Sequence, residues 1–372
     1  MIIFSKTKIL GYGMKTLNHS YLSRLDHLRF FAAVMVIIHH CRGTINYNGS
    51  ISGISDLASL WIRWGSSGVS LFLVLSGFLF CVIADAGRKD LQYSKFIKNR
   101  ILRIAPLATL FVFIAICVNQ NESTPMDIFR LLTLQLNTGS PGTGWGYKLY
   151  PMGPIWTIAV EFQFYLLFPF LAAFMGKNGV KAIVGIIAVF ILIKTSLVIF
   201  NGTGIYYRLY HSIIGRLDQL LIGMIAGYCY IQGYLKNSRA MPSLMIAASL
   251  IGVSIFMHLN SQMLKWFMPF SFTFEALFWS LLIYGYVTFR LDINQKLDAA
   301  LSYLGGLSFS MYLFHLAVAK ALYMTTLNPH QTKWGYVFNA LAFILPLTIA
   351  ISALTFKFIE KPFLELRVKY TK

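Results

Sequence analysis

Residues 183–200 read IVGIIAVFILIKTSLVIF, eighteen positions with a single charge, Lys194. An α-helix rises 1.5 Å per residue, so this run reaches about 27 Å, close to the ~30 Å hydrocarbon core of a bilayer. The run therefore predicts a transmembrane helix, and the same pattern recurs along the chain. Apolar runs fall near 27–41, 65–84, 104–118, 155–175, 183–200, 213–234, 242–258, 267–289, 304–325 and 337–359. The expected fold is all-α, a polytopic membrane helix bundle of about ten transmembrane helices.

Composition agrees. Of 372 residues 57% are hydrophobic and only 12% are charged, against about 25% charged in an ordinary soluble domain. Such an apolar chain is not disordered either. Its 32 Lys+Arg against 13 Asp+Glu give a net charge of +19, an excess that either binds nucleic acid or fixes topology. Ten spans put both termini on one side. That side collects the arm up to Arg29, loops 85–103, 176–182, 235–241 and 290–303, and the tail from Lys357, with 22 of the 32 basic residues. The opposite loops hold 7, and Lys194, Arg216 and Lys320 lie inside spans. The positive-inside rule then makes both termini cytoplasmic in a multi-pass plasma (inner) membrane protein, and nucleic acid is not needed to explain the charge.

The expected organisation is a cytoplasmic arm over 1–26, a transmembrane domain over 27–360 and a basic cytoplasmic tail over 361–372. No signal peptide is expected, the first span serving as the targeting signal, and Met14 is an alternative start. The four cysteines, Cys41, Cys81, Cys117 and Cys229, show no CxxC and no metal-ligand spacing, so no metal is expected. Cys41 and Cys117 sit near outer ends of spans, where they either pair or act, like the other two, as small apolar fillers.

Ionisable groups inside apolar spans are costly, by about 2.5–3.5 kcal/mol on insertion scales, and so point to function. The first span has Arg29 at its start and His40 eleven residues on, about 16 Å along the axis. His39 and His40 are adjacent, about 100° apart around the helix, so only one faces a given cavity. Arg100 and Arg103, at i, i+3, form a two-guanidinium clamp suited to phosphate, or a headgroup anchor. Glu161 lies about two turns into its span and requires a partner or a wet cavity, Arg216 or Lys194 being structural candidates. Ser308, Tyr312 and His315, at i, i+4, i+7, form one polar stripe. Trp145, Tyr147 and Tyr150 give the loop before the fourth span aromatic faces, for sugar stacking or for an interfacial belt. Lys194 and Glu275 have no evident partner.

In order, Asp26-His27-Leu28-Arg29 with ten residues to His40, Gly68 to Phe78 ending Ser76-Gly77-Phe78, Arg100-Ile-Leu-Arg103-Ile-Ala-Pro106, Trp156-Thr-Ile-Ala-Val-Glu161-Phe-Gln-Phe-Tyr165, Leu304-Gly305 through His315, and Glu360-Lys361-Pro362 resemble the acyltransferase-3 family of integral membrane O-acyltransferases. The resemblance covers nearly the whole chain. It departs at Ser70, where an acidic residue is frequent, and at His27, where glycine is frequent. No extracytoplasmic hydrolase-like domain is expected after the tenth span.

The resemblance implies transfer of an acyl group, most often acetyl, from cytoplasmic acyl-CoA to a hydroxyl of an envelope glycan or lipid-linked sugar at the outer face. Acetyl-CoA enters as donor substrate and no permanently bound cofactor is implied. His40 is the implied catalytic histidine, Arg29 supports the donor, and Arg100 and Arg103 bind its phosphates. Glu161 either orients the imidazole or holds the acceptor. Ser76 is placed with the donor, and Trp156, Tyr165, Ser308, Tyr312 and His315 with the substrate. Direct transfer with His40 as general base is the favoured route, and an acyl-enzyme on Ser76 or His40 the other. A transporter or flippase with a proton relay of Glu161, His315 and Lys194 is the reading from a different class.

Overall fold

The structure is a computed structural model and describes residues 21–118, 120, 124–137, 155–235, 238, 240–262, 264–290, 292–327 and 332–371. The arm with Met14 and the aromatic loop of Trp145, Tyr147 and Tyr150 lie outside the described residues. Those described form helices and no strand, with one isolated antiparallel bridge between Leu91 and Thr371.

The helices are α1 (Ser23–His40), α2 (Ile54–Arg63), α3 (Ser67–Ile83), α4 (Tyr93–Val118), α5 (Pro125–Leu132), α6 (Trp156–Asn178), α7 (Val180–Asn201), α8 (Ile205–Tyr210), α9 (Ile213–Gln232), α10 (Met241–Ser261), α11 (Met268–Thr288), α12 (Gln295–Gly306), α13 (Ser308–Thr325), α14 (Lys333–Asn339), α15 (Leu345–Thr355) and α16 (Lys361–Glu365). The last three run on through two π-helical turns as one unit over Trp334–Glu365. Pro106 and Pro169 sit inside α4 and α6, tolerated where neighbouring helices satisfy the backbone group each frees.

Among the described residues six helices are long and apolar enough to cross a membrane, and eight if the bent pairs α2/α3 (65°) and α12/α13 (64°) each count as one. This is fewer than the ten expected. The two expected spans outside that count are α1, with Arg24, Asp26 and Arg29, and α9, with Arg216 and Asp218. Of these groups Asp26, Arg216 and Asp218 are buried, with Gln219 beside them, while Arg24 and Arg29 are partly exposed.

Small residues set the closest helix approaches. A β-carbon at Gly77 of α3 would collide with the Leu220 carbonyl of α9, and one at Gly305 of α12 with the Asp26 backbone of α1. The Ser76-Gly77 pair thus has a packing role beside any chemical one. Beneath α3, rings of Phe80, Phe96, Tyr165 and Phe168 pack with centroids 5.2–6.3 Å apart. The four cysteines are free, Cys41 buried and Cys117 exposed, so the pairing considered from sequence does not form.

Candidate functional site

One cavity of about 220 Å³ opens between α1, α3, α4, α6 and α13. Arg29, Ser76, Arg100, Arg103, Glu161, Tyr165, Ser308 and Tyr312 all line it, although they are spread over nearly 300 residues of sequence. Trp156, His40 and His315 do not line it.

The basic end is built mainly by α4. This helix starts at Tyr93, so Arg100 and Arg103 stand in its second and third turns and not in a loop before a helix at 104. Arg103 lies 3.5 Å from the Glu360 carboxylate, whose other oxygen accepts the Ser310 hydroxyl. Glu360 of the Glu-Lys-Pro motif therefore aims Arg103, a role its place in the sequence did not disclose. The Arg100 guanidinium sits 5.1–5.9 Å from the ring centres of Phe80, Phe96, Tyr165 and Tyr370, and its buried Nε has no hydrogen-bond partner among the described residues. Arg29 donates to Asp26 at 2.6 Å, and Asp26 also accepts from Tyr21 at 2.6 Å.

Deeper in, the Glu161 carboxylate accepts from Ser76 Oγ at 3.0 Å and from the Tyr165 hydroxyl on the next turn of α6. Glu161 thus meets neither Arg216 nor Lys194. Thr157 donates to the Tyr312 hydroxyl at 3.1 Å, and the Phe72 ring stands edge-on to Tyr312 at 6.3 Å. All three line the cavity.

One turn beyond Tyr312, fully buried His315 meets His40, with Nε2 of the first 3.0 Å from Nδ1 of the second. The other nitrogen of His315, Nδ1, lies 2.7 Å from the Tyr312 carbonyl. A carbonyl only accepts, so His315 Nδ1 carries the proton and neutral His315 Nε2 carries a lone pair. That lone pair accepts from His40 Nδ1–H, which leaves His40 Nε2 as the free acceptor. The His39 ring stands edge-on to His40 with centroids 5.1 Å apart, and the His39 carbonyl accepts from Arg42 at 2.7 Å.

Trp156 packs on the rings of Tyr210 and His211, with the Arg216 guanidinium 5.5 Å from its centre. Arg216 and Asp218 each find partners on other helices. Arg216 lies between the faces of Tyr210 and Phe272 and donates to Ser70 at 3.1 Å, with Glu275 4.0 Å away. Lys194 pairs with Asp218 at 2.5 Å. The transporter relay of Glu161, His315 and Lys194 is therefore not assembled, each group being bonded elsewhere. Ser70, where the family often carries an acid, donates to Glu275 at 2.6 Å, so a carboxylate reaches this point from α11.

Sequence reasoning also missed Asn99, Arg367 and Tyr370 on the cavity wall. Arg367 and Tyr370 lay in the basic tail, where they carried no signal beyond topology.

The chain matches a family described as acyltransferase domain over residues 22–356. It is 25% identical over 377 residues to "O-acetyltransferase OatA" of Staphylococcus aureus (strain NCTC 8325 / PS 47), covering 94% of this chain and 58% of that protein. With "Putative peptidoglycan O-acetyltransferase YrhL" of Bacillus subtilis (strain 168) it shares 26% identity over 383 residues, 94% of this chain and 56% of the relative. The chain thus spans a little over half the length of these relatives. No solved structure matches it significantly.

Proposed function

Because this chain belongs to the acyltransferase domain family, we propose that it is a multi-pass membrane O-acyltransferase, moving an acetyl group from cytoplasmic acyl-CoA to a hydroxyl of an envelope glycan or lipid-linked sugar at the outer face. Ten crossings, both termini in the cytoplasm and a plasma (inner) membrane location belong to this reading. The relatives' names support O-acetylation, and one of them names peptidoglycan. The observation that carries the reading is a cavity lined by Arg29, Arg100, Arg103 and Arg367 that also takes in Tyr312, one helical turn before His315, whose ring meets His40.

In this reading the donor's phosphates stay at Arg100 and Arg103, since a multiply charged anion does not enter hydrocarbon. The pantetheine arm runs along the cavity, and the thioester reaches His40 past Tyr312, one turn before His315. His40 Nε2 then takes the proton of the acceptor hydroxyl, whose oxygen attacks the thioester carbonyl. Ser308 and Tyr312 stabilise the oxyanion. The carbon–sulfur bond breaks, and the leaving thiolate receives the proton from His40. Trp156 and Tyr165 act on the acceptor side and in holding Glu161, respectively.

A second route is favoured by the Ser76–Glu161 contact of 3.0 Å, which puts a nucleophile beside a base. There Glu161 takes the Ser76 proton, Ser76 Oγ attacks the thioester, the thiolate leaves, and the acyl-serine later yields to the acceptor.

Purified protein in detergent with acetyl-CoA and a thiol reporter tests the main reading, together with mass spectrometry of envelope glycans with and without the gene. Acceptor-dependent thiol release, lowered about 10²–10⁴-fold in His40→Ala, is the expected result. Full glycan acetylation by a folded His40→Ala protein overturns the base assignment. Labelled acyl-protein that disappears in Ser76→Ala selects the second route.

A further inference from the structure

Beyond α16 the chain does not leave the bundle. Residues 367–371 fold back along α4 as a strap with three fastenings. The buried Asn99 side chain donates to the Val368 carbonyl at 2.6 Å and accepts from the Val368 amide at 3.0 Å. The Gln92 amide donates to the Tyr370 carbonyl at 2.9 Å, and Thr371 forms the bridge with Leu91. The buried Tyr370 ring packs on Phe96 at 5.3 Å and faces the Arg100 guanidinium.

The fastened strap delivers Arg367 into the cavity wall beside Arg100 and Arg103. No carboxylate among the described residues is paired with Arg367. Its Nε donates to the Leu364 carbonyl at 2.8 Å, but the carboxylates of the lining are engaged elsewhere: Asp26 with Arg29, and Glu161 with Ser76 and Tyr165. The lining thus holds four arginines against two acids, with Glu360 behind Arg103 as a third carboxylate. Burial together with the charges of Arg103 and Arg100 pulls Arg367 down to about 10, so it stays protonated near neutrality while bearing the repulsion of its neighbours. Three neighbouring guanidiniums, of which only Arg103 has a carboxylate beside it and one has a buried Nε with no acceptor among the described residues, form an arrangement that an oxyanion relieves.

We propose that Arg367 is a third phosphate-binding guanidinium of this cavity, and that the strap 367–371 positions it so that an anionic acyl donor is gripped from α4 and the strap together. This rests on the acyl-CoA reading above. Asn99 is then a positioning residue, because it fixes the strap without reaching the anion.

The test is steady-state kinetics with acetyl-CoA and direct binding of radiolabelled acetyl-CoA to the full chain in detergent, comparing Arg367→Gln, Arg367→Lys and Arg100→Gln with Arg103→Gln. Loss of one charge-assisted contact predicts an acetyl-CoA KM about tenfold higher in Arg367→Gln, with kcat at saturation and acceptor KM unchanged. Arg367→Lys, which keeps the charge and also guards against a misfolded Gln variant, gives a smaller rise. An unchanged donor KM in Arg367→Gln, alongside a raised one in the Arg100/Arg103 double variant, overturns the role of Arg367 and leaves the donor reading standing. Loss of kcat with donor KM unchanged makes Arg367 merely structural and overturns the proposal too. Acetyl-CoA binding that none of the variants alters overturns the donor reading itself.

Discussion

At the scale of single residues the arrangement of His315 has the sharpest consequence. Its Nδ1 is committed to the Tyr312 carbonyl, so its Nε2 fixes the proton of His40 on Nδ1. His315 is therefore a positioning residue for the proposed base. His315→Phe removes that acceptor and leaves His40 free to adopt the unproductive tautomer. Because the lost contact stabilises an imidazolium as it forms, kcat should fall by about 10–100-fold. Donor KM should stay as it is, since His315 stands outside the cavity. Initial rates over a range of acetyl-CoA concentrations check this, and a variant that raises only KM removes the tautomer argument. The stripe of Ser308, Tyr312 and His315 was legible from spacing alone, whereas the His40 contact was not: 275 residues separate the two rings, and only helix packing joins them.

Between elements, the telling contact is the Lys194–Asp218 pair joining α7 to α9, with Thr273 of α11 donating to the same carboxylate. Both ionised groups are fully buried. A buried pair adds little over an apolar replacement, but removing one partner strands the other charge. Lys194→Met should therefore destabilise the bundle by about 3–5 kcal/mol, while Lys194→Met with Asp218→Asn recovers much of the loss. Thermal unfolding in detergent reads both, and equal losses in the single and double variants would show that no coupling exists. Periodicity marked each of these helices in the sequence, but it is silent on which helix faces which, so Lys194 and Glu275 stayed without partners until α7, α9 and α11 were packed. The same gap hid Glu360: its motif was visible, but the 3.5 Å approach to Arg103 depends on how the last helical unit lies against α4. Arg367 was concealed differently, since a basic residue in a basic tail has a sufficient explanation in topology.

For the molecule as a whole the open quantity is the number of crossings, and α9 decides much of it. Length and apolarity leave α9 outside the spans because it carries Arg216 and Asp218, yet its 20 residues reach about 30 Å. Composition penalises those charges as though they met lipid. In the bundle they meet aromatic faces, Ser70, Gln219 and Lys194, and nearly every position from Gly215 to Gly227 is buried. A helix whose charges are satisfied internally crosses at little cost, so α9 should span, with its two ends on opposite sides. Arg208 before it and Ala240 after it are both exposed and suit a labelling pair. In a background with the four native cysteines replaced, a membrane-impermeant maleimide applied to intact cells should label Arg208→Cys. It should reach Ala240→Cys only after permeabilisation, in keeping with the basic residues that flank Ala240 in loop 235–241. Labelling of both from outside, or of neither, would put the ends of α9 on one side, and the ten-crossing topology with its cytoplasmic termini would fall with it.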